Sequence, residues 1–497
     1  MLQARLKKGL TTNWHFIGVI LFFIIHGYSE HQGLIPLREL LLLLAALLAA
    51  GFLLFGISRK LFKMQAEKAG LFTSFVLALV LFFSVFQDFF TSIRFLSFIG
   101  RLVIFFPLCI AAMIAALVWL KKTGRPFKKG VFFINTVLVV YIVVDLCIIV
   151  THCLFPVAQQ KDKSLEKWAL RVCDTCARPP VYFVLLDSYF GSAGLREFYQ
   201  YDNSRFDNFL RQQGFHVTDG THSNYLHTLF SMASLLNMSY LEEKGPITIE
   251  NHYAYKAGVA AVRNNIVCRF FKEQGYQIRN YSIFDIDNIP AGHQSGLMPD
   301  KIQLITQQTM YYRVKKYGPP FLARMKWAPG LEKSIANDFV GNNERMLNLT
   351  LSASRQKQEK PVFTYLHLMM PHMPFSYDSV GNRTVPAPAG SVSIEKMDDQ
   401  FLQYEVYANK WMITFIEQLK AATRGEAVIV LMSDHGYRPA GRRERSLACQ
   451  TLNAVYLPSQ NYAGWYNGMT NVNQFRGLFN TLFDQHLPML KDSIVYH

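Results

Sequence analysis

Five apolar runs crowd residues 13 to 150, and they constrain the fold more than any other feature of the chain. They read NWHFIGVILFFIIHGY (13–28), LLLLLAALLAAGFLLFG (40–56), LFTSFVLALVLFFSVF (71–86), LVIFFPLCIAAMIAALVWL (102–120) and VFFINTVLVVYIVVDLCIIV (131–150). A helix needs roughly 20 apolar residues to cross a bilayer. The first and third runs are somewhat short, but apolar flanks extend them. The first run could instead be a signal peptide. It lacks a small-residue cleavage site and four further runs follow it, so an anchor is the better reading. The expectation is a five-span helical domain over residues 1–153.

Basic residues orient such a bundle. Arg5, Lys7 and Lys8 precede the first run; Arg59, Lys60, Lys63 and Lys68 separate the second and third; Lys121, Lys122, Arg125, Lys128 and Lys129 separate the fourth and fifth. The alternate loops hold little beyond Arg38 and Arg94. The amino terminus is therefore expected in the cytoplasm, and everything beyond about residue 153 outside it. These loops also account for part of the net charge of +16 without nucleic acid. Of the chain's 7 cysteines, Cys109 and Cys147 lie inside spans. Cys173 and Cys176 form a lone C-x-x-C, without the second pair that a zinc knuckle needs. A short disulfide loop suits an oxidising compartment.

Residues 154–180 read as a juxtamembrane connector, and 181–497 as a soluble domain. VYFVLL (181–186), PVFTYLHL (361–368) and EAVIVLMSDHG (426–436) are apolar runs of strand length. They match central parallel strands covered on both faces. REFYQYDNSRFDNFLRQQG (196–214) and DQFLQYEVYANKWMITFIEQLKAA (399–422) carry helical periodicity. Strands alternating with helices indicate an α/β domain with a mainly parallel sheet. One further stretch, MYYRVKKYGPPFLARMKW (310–327), mixes aromatic and basic residues. It suits a membrane interface or an anionic head group, or else an ordinary helix pair broken at Pro319 and Pro320.

Ligands of open α/β sheets gather beyond the carboxyl ends of the strands. Two strands end there on Asp187 and on Asp434 with His435. Hard carboxylate oxygens and one imidazole suit a divalent ion, Zn or Mn. An Asp after a strand can equally be a turn former, but Asp-His-Gly after a buried strand is harder to explain that way. SNYLHTLFSMASLLNMSYL (223–241) places Thr228 at a helix start, as a cap or as a nucleophile activated by a metal. His222 and His227, which flank it, read as surface residues. His367 and His372, in YLHLMMPHMPF, are candidates to bind substrate, with His372 the stronger.

Together these motifs resemble the sulfatase-like branch of the alkaline phosphatase superfamily. Ser433 to Gly436 match its S-D-H-G motif, and His372 to Phe375 its His-x-Pro-Phe element. The segments 223–241, LNAVYLP (452–458) and NQFRGLFNTLF (473–483) extend the likeness over most of residues 180–485. With five spans and an outward domain, the layout looks like that of bacterial lipoteichoic acid synthases and phosphoethanolamine transferases. The resemblance implies Asp187, Thr228, Asp434 and His435 as metal ligands, Thr228 as nucleophile, and His372 against the transferred group. It implies a multi-pass protein of the bacterial inner membrane. Such an enzyme moves a phosphoethanolamine or phosphoglycerol head group from a membrane phospholipid to a glycan or lipid acceptor through a phosphothreonine. The chain departs from those transferases in carrying Asp187 where Glu is usual. It has no C-x-P-x-R motif, which argues against sulfate-ester hydrolysis through formylglycine. A phosphodiesterase and a non-catalytic binding protein on the same scaffold are the alternatives.

Overall fold

The computed structural model describes residues 11–154, 170–242, 245–249, 251–292, 301–324, 331–384, 392–438 and 447–495. Most of the expected connector thus lies outside the described residues. The chain forms two compact units. One comprises Met1–Gln159 with Gly296–Phe321, the other Gln160–Ser295 with Leu322–His497.

In the first unit all five apolar runs are helical: α1 (His15–Glu30), α2 (Leu37–Lys60), α3 (Ala66–Leu81) bending into α4 (Phe83–Ser92), α5 (Leu102–Lys122) and α6 (Lys128–Leu154). Three of them, α2, α5 and α6, are long and apolar enough to cross a membrane, and the α3–α4 pair, bent by 63°, makes a fourth if counted as one span. α1 is shorter. Apolar side chains such as Leu53, Ile114 and Val144 lie exposed on the outer surfaces, as expected of helices solvated by lipid. Inside, polar pairs tie α1 to its neighbours: His15 Nδ1 lies 2.6 Å from Ser74 Oγ and His26 Nδ1 lies 3.2 Å from Asp145 Oδ1.

The second unit begins with a disulfide between Cys173 and Cys176. Its elements follow as β1 (Val181–Leu186), α7 (Ser192–Tyr199), α8 (Ser204–Gln212), β2 (His216–Val217), α9 (Thr228–Asn237), α10 (His252–Arg263), α11 (Ile266–Glu273) and β3 (Gln277–Tyr281). α12 (Gln303–Thr306) and α13 (Met310–Arg324) come next in sequence, but most of their residues belong to the first unit. The second unit then resumes with α14 (Leu331–Ser354), β4 (Val362–Leu368), α15 (Ile394–Ala422), β5 (Val428–Ser433), β6 (Asn453–Tyr456) and α16 (Gln474–Phe483).

The six strands form one sheet in the order β2-β6-β5-β1-β4-β3. β5, β1, β4 and β3 run parallel, and β6 is antiparallel to β5. Period 2 sends alternate residues of β1 to opposite layers. Tyr182, Val184 and Leu186 enter a cluster with Phe401, Met412 and Leu419 of α15. Phe183 faces the other way, with its ring 5.3 Å from that of Phe475 on α16. Both faces are covered, which explains why these strands carry no polar alternation. The register matters most for the site. Leu186 pairs with Leu368 on one side and with Ser433 on the other. Asp187 and Asp434, each the next residue, therefore leave the sheet at the same level.

Candidate metal centre

Three segments far apart in sequence meet beyond these strand ends. Asp187, Asp434 and His435 are all buried, and one ligand atom from each lies within 4.8 Å of the others. Thr228 joins them as the first residue of α9. Its hydroxyl does not cap the helix but lies 3.1 Å from His435 Nε2. One turn on, Ser231 Oγ donates to the Asp434 carbonyl at 2.5 Å, which ties this helix to the end of β5.

The tautomer of His435 follows from its neighbours. Nδ1 lies 2.7 Å from the Gly436 carbonyl, so Nδ1 carries the proton and donates. Nε2 then presents a lone pair, and Asp434 Oδ2 stands 3.2 Å from it. That oxygen is buried, and the Thr228 hydroxyl also acts on the Asp434 carboxyl group as a hydrogen-bond partner. A lone pair facing a buried carboxyl oxygen needs a proton or a metal cation between them. Two carboxylates, one imidazole and a hydroxyl suit Zn²⁺ or Mn²⁺, so the residues fit the expected ion.

The two carboxyl groups titrate in opposite directions. Burial acts to raise Asp187, but the charge of His372 and the hydrogen bond from His367 outweigh it and hold the group below the carboxylate range. Asp434 is pushed well above that range by burial and by the charge of Asp187. Burial lowers His435 far below the usual imidazole value, and Arg438 adds to this. Without an ion, the centre thus holds one carboxylate, one carboxylic acid and a neutral imidazole.

Support comes from Ser188 and Tyr365, which no motif marks, and from His367, expected from the sequence as a candidate to bind substrate. Ser188 has φ of 65°, a conformation that favours glycine. There its N–H donates to Asp434 Oδ1 at 3.1 Å and its hydroxyl to Asp187 Oδ1 at 3.0 Å. One residue thus sets the spacing of both carboxylates. His367 is fully buried, and its Nε2 lies 3.1 Å from Asp187 Oδ2. Tyr365, two residues earlier on the same strand face, places its hydroxyl 3.1 Å from His367 Nδ1. The phenol donates to the imidazole, which donates to the carboxylate. Period 2 alone would have linked Tyr365 to His367.

His372 is half-buried, and its Nδ1 lies 2.5 Å from the Met373 carbonyl, which leaves Nε2 unused by that contact. His227, which sequence reading left on the surface, is half-buried next to Thr228. An N–H of the Arg438 guanidinium lies 2.7 Å from its Nδ1. Nothing in the run Gly-Tyr-Arg announces Arg438, because the contact joins residues 211 positions apart.

A sequence model of one family, Sulfatase, matches residues 179–475, more than half of the chain. No curated protein matches. Among solved structures, the periplasmic domain of EptC from Escherichia coli aligns at 12% identity and a TM-score of 0.40, over 65% of this chain and 90% of that one. The lipooligosaccharide phosphoethanolamine transferase EptA from Neisseria meningitidis aligns at 11% identity and a TM-score of 0.40, over 96% of each chain. A phosphonate monoester hydrolase from Agrobacterium radiobacter aligns at 12% identity and a TM-score of 0.37, over 61% of this chain and 74% of that one.

Proposed function

This chain belongs to the sulfatase family, and on that premise we propose that it is a membrane-anchored phosphotransferase whose nucleophile is Thr228. The observation that carries the reading is the Thr228 hydroxyl, at a helix start and 3.1 Å from His435 Nε2, inside the Asp187, Asp434 and His435 cage. A bound Zn²⁺ or Mn²⁺ held by those four residues would lower the pKa of the hydroxyl and neutralise charge on a phosphoryl oxygen.

The chain's own residues would do the rest. Thr228 Oγ1 attacks the phosphorus of a phospholipid diester as its own proton passes to solvent, and the bond from phosphorus to the lipid alcohol oxygen breaks. His372, through Nε2 in its imidazolium form, gives a proton to the departing oxygen. A hydroxyl of a glycan or lipid then attacks the phosphothreonine diester, its proton passes to His372, the bond to Oγ1 breaks, and Oγ1 regains a proton from solvent. Arg438 and His227 at the mouth meet the remaining phosphate charge. His367 acts through Asp187, holding that ligand in orientation rather than touching substrate. The transferred group is of the phosphoethanolamine or phosphoglycerol type.

The basic loops support five crossings. If α1 stayed on one side, the basic residues 5–8 would share a face with the start of α2, whose single basic residue, Arg38, is balanced by Glu39. If α3 did not cross, the basic ends of α2 and α5 would fall on opposite faces. At 1.5 Å per residue α1 spans about 24 Å, so its flanks or a locally thinned bilayer must supply the remainder. We therefore place the amino terminus in the cytoplasm of a bacterium and the metal centre outside its inner membrane.

Intact-mass and peptide analysis of protein purified from its own membrane is expected to find a head-group phosphate diester on Thr228. Thr228→Ala should abolish both adduct and transfer. Full transfer by that variant would refute the nucleophile, and turnover without any added acceptor would favour the phosphodiesterase.

A further inference from the structure

The aromatic and basic stretch from residue 301 onward plays no part in the metal centre, yet the structure holds it firmly against the helical unit. Leu304 and Ile305 of α12 are buried. Ile305 packs so closely on α1 that a Cβ built on Gly27 would lie 2.8 Å from it. The Ile302 N–H points to Glu39 of α2 at 3.4 Å, and the Ser84 N–H of α4 donates to the Gln308 carbonyl at 2.9 Å. Met310 joins Phe83 and Phe105 in one apolar cluster. Arg313 is anchored as well: its Nε donates to Ser84 Oγ at 2.5 Å and Nη2 lies 3.3 Å from Asp88 Oδ2.

These contacts touch the last turn of α1, the first turns of α2 and α5, and α4. All of them lie at the end of the bundle away from the basic loops 59–68 and 121–129. The segment therefore sits at one rim of the helical unit. What it turns outward is mixed in character. Tyr311 is 72% exposed, Val314 and Tyr317 are exposed too, and so are Lys315 and Lys316. The Lys316 ammonium stands 5.7 Å from the Tyr317 ring. Residues 301–318 include four basic side chains and no acidic one. The neighbouring α4 continues the patch with exposed Phe89. Aromatic rings with lysines at the edge of an apolar bundle are the composition of a bilayer interface. Lysines near such a surface attract anionic phosphates.

We infer that α13 and α4 form an interfacial platform that binds the anionic phospholipids of the outer leaflet. Tyr311, Val314 and Phe89 enter the head-group region, and Lys315 and Lys316 contact lipid phosphates. The inference rests on the membrane placement of the helical unit and not on the chemistry at Thr228.

The test places the photoreactive residue p-benzoylphenylalanine in full-length protein at single positions: Val314→p-benzoylphenylalanine on the platform, Val144→p-benzoylphenylalanine on the exposed face of α6, and Tyr253→p-benzoylphenylalanine on α10. Each protein is placed in nanodiscs of phosphatidylcholine mixed with phosphatidylglycerol, irradiated and weighed. Lipid adducts are expected at 314 and 144 and not at 253, with phosphatidylglycerol over-represented at 314 alone. Lys315→Glu with Lys316→Glu should lower that enrichment about fivefold per lysine. Added salt should lower it in the unmodified sequence as well, which keeps the test valid if the double variant folds poorly. Adducts at 144 without any at 314, crosslinked dimers at 314, or adducts there without head-group preference would overturn the platform while leaving the membrane placement intact. No lipid adduct at 144 would overturn both.

Discussion

Tyr365→Phe removes one oxygen and tests whether the relay behind Asp187 tunes the metal centre. The ring keeps its stack on Phe183, at 4.9 Å between centroids, so packing is conserved. The O–H donor to His367 Nδ1 at 3.1 Å is lost. His367 is fully buried, so water cannot take the donor's place. An acceptor left unpaired in such a site costs about 1–3 kcal/mol. The imidazole can recover part of that only by tilting or by moving its proton to Nδ1, and either change withdraws the Nε2–H from Asp187. Loss of outer-shell support of this kind weakens a metal site roughly ten- to hundredfold. At about 1.4 kcal/mol per decade, the two estimates cover the same range.

The assay is competitive titration of Zn²⁺ and of Mn²⁺ against a chelator on the full-length protein. The thermal midpoint of chelator-treated protein is measured alongside it. Tyr365→Phe is expected to bind metal ten- to hundredfold more weakly. Its metal-free midpoint should fall by no more than the lost hydrogen bond accounts for. Unchanged affinity with a lowered midpoint would refute the reasoning, because the relay would then stabilise the fold without acting on Asp187.

The unusual backbone of Ser188 makes a paired prediction. Ser188→Ala and Ser188→Gly both lose the hydroxyl bond to Asp187, but only Ala resists the positive φ, so the Gly variant should unfold later, by about 1 kcal/mol. Equal chemical-denaturation curves would contradict this. Metal affinity should rise with pH, because Asp434, raised by burial and by Asp187, holds a proton that the ion displaces. The dependence should level off above its raised pKa. Calorimetry in buffers of different ionisation enthalpy should find about one proton released per ion, and none released would count against the assigned cage. Glu405 is fully buried and raised well above the carboxylate range by burial, so the fold retains a proton that the unfolded chain loses as pH rises past its ordinary value. Stability should therefore fall with pH until the raised pKa is reached. Glu405→Gln should match the parent chain near pH 5 and exceed its thermal midpoint near pH 8, while an identical shift at both values would refute the assignment.

The parts of this protein that its sequence discloses share a physical property. Each is encoded within one contiguous stretch whose pattern matches its surroundings. The bilayer and the two-sided cover of the sheet both demand unbroken apolar runs, so the helical runs and strands β1, β4 and β5 stand out. Where the pattern is weak, elements stay hidden. β3, with Ile278 and Asn280 facing inward and polar residues facing out, carries too little apolar character to read as a strand. The stretch 196–214 keeps one helical period, yet it is divided because Gln200 adopts a left-handed conformation and ends α7. Local propensity does not announce that turn. α13 runs through Pro319 and Pro320 as one helix, where the sequence offered a break.

The candidate centre divides along the same line. Asp187 and Asp434 are legible because each directly follows a buried strand, His435 because it adjoins Asp434, and Thr228 because it opens an apolar helix. Of the residues that orient these side chains, the sequence offers only His367, and offers it as a candidate to bind substrate. Ser188 matters through its φ, Tyr365 and His367 through the register that sets β4 beside β1, and Arg438 through a contact across 211 residues. All of these are products of the assembled sheet. A fold of this kind can therefore keep a readable ligand motif while its second layer of contacts changes. Electrostatics argues that the second layer governs the chemistry. Asp187 and Asp434 are the same residue type at equivalent strand ends, and their surroundings push one pKa down and the other up. Exchanging the two environments would exchange their protonation states without altering a single motif residue. Activity in such a chain should thus be more sensitive to Ser188, Tyr365 and His367 than any motif implies.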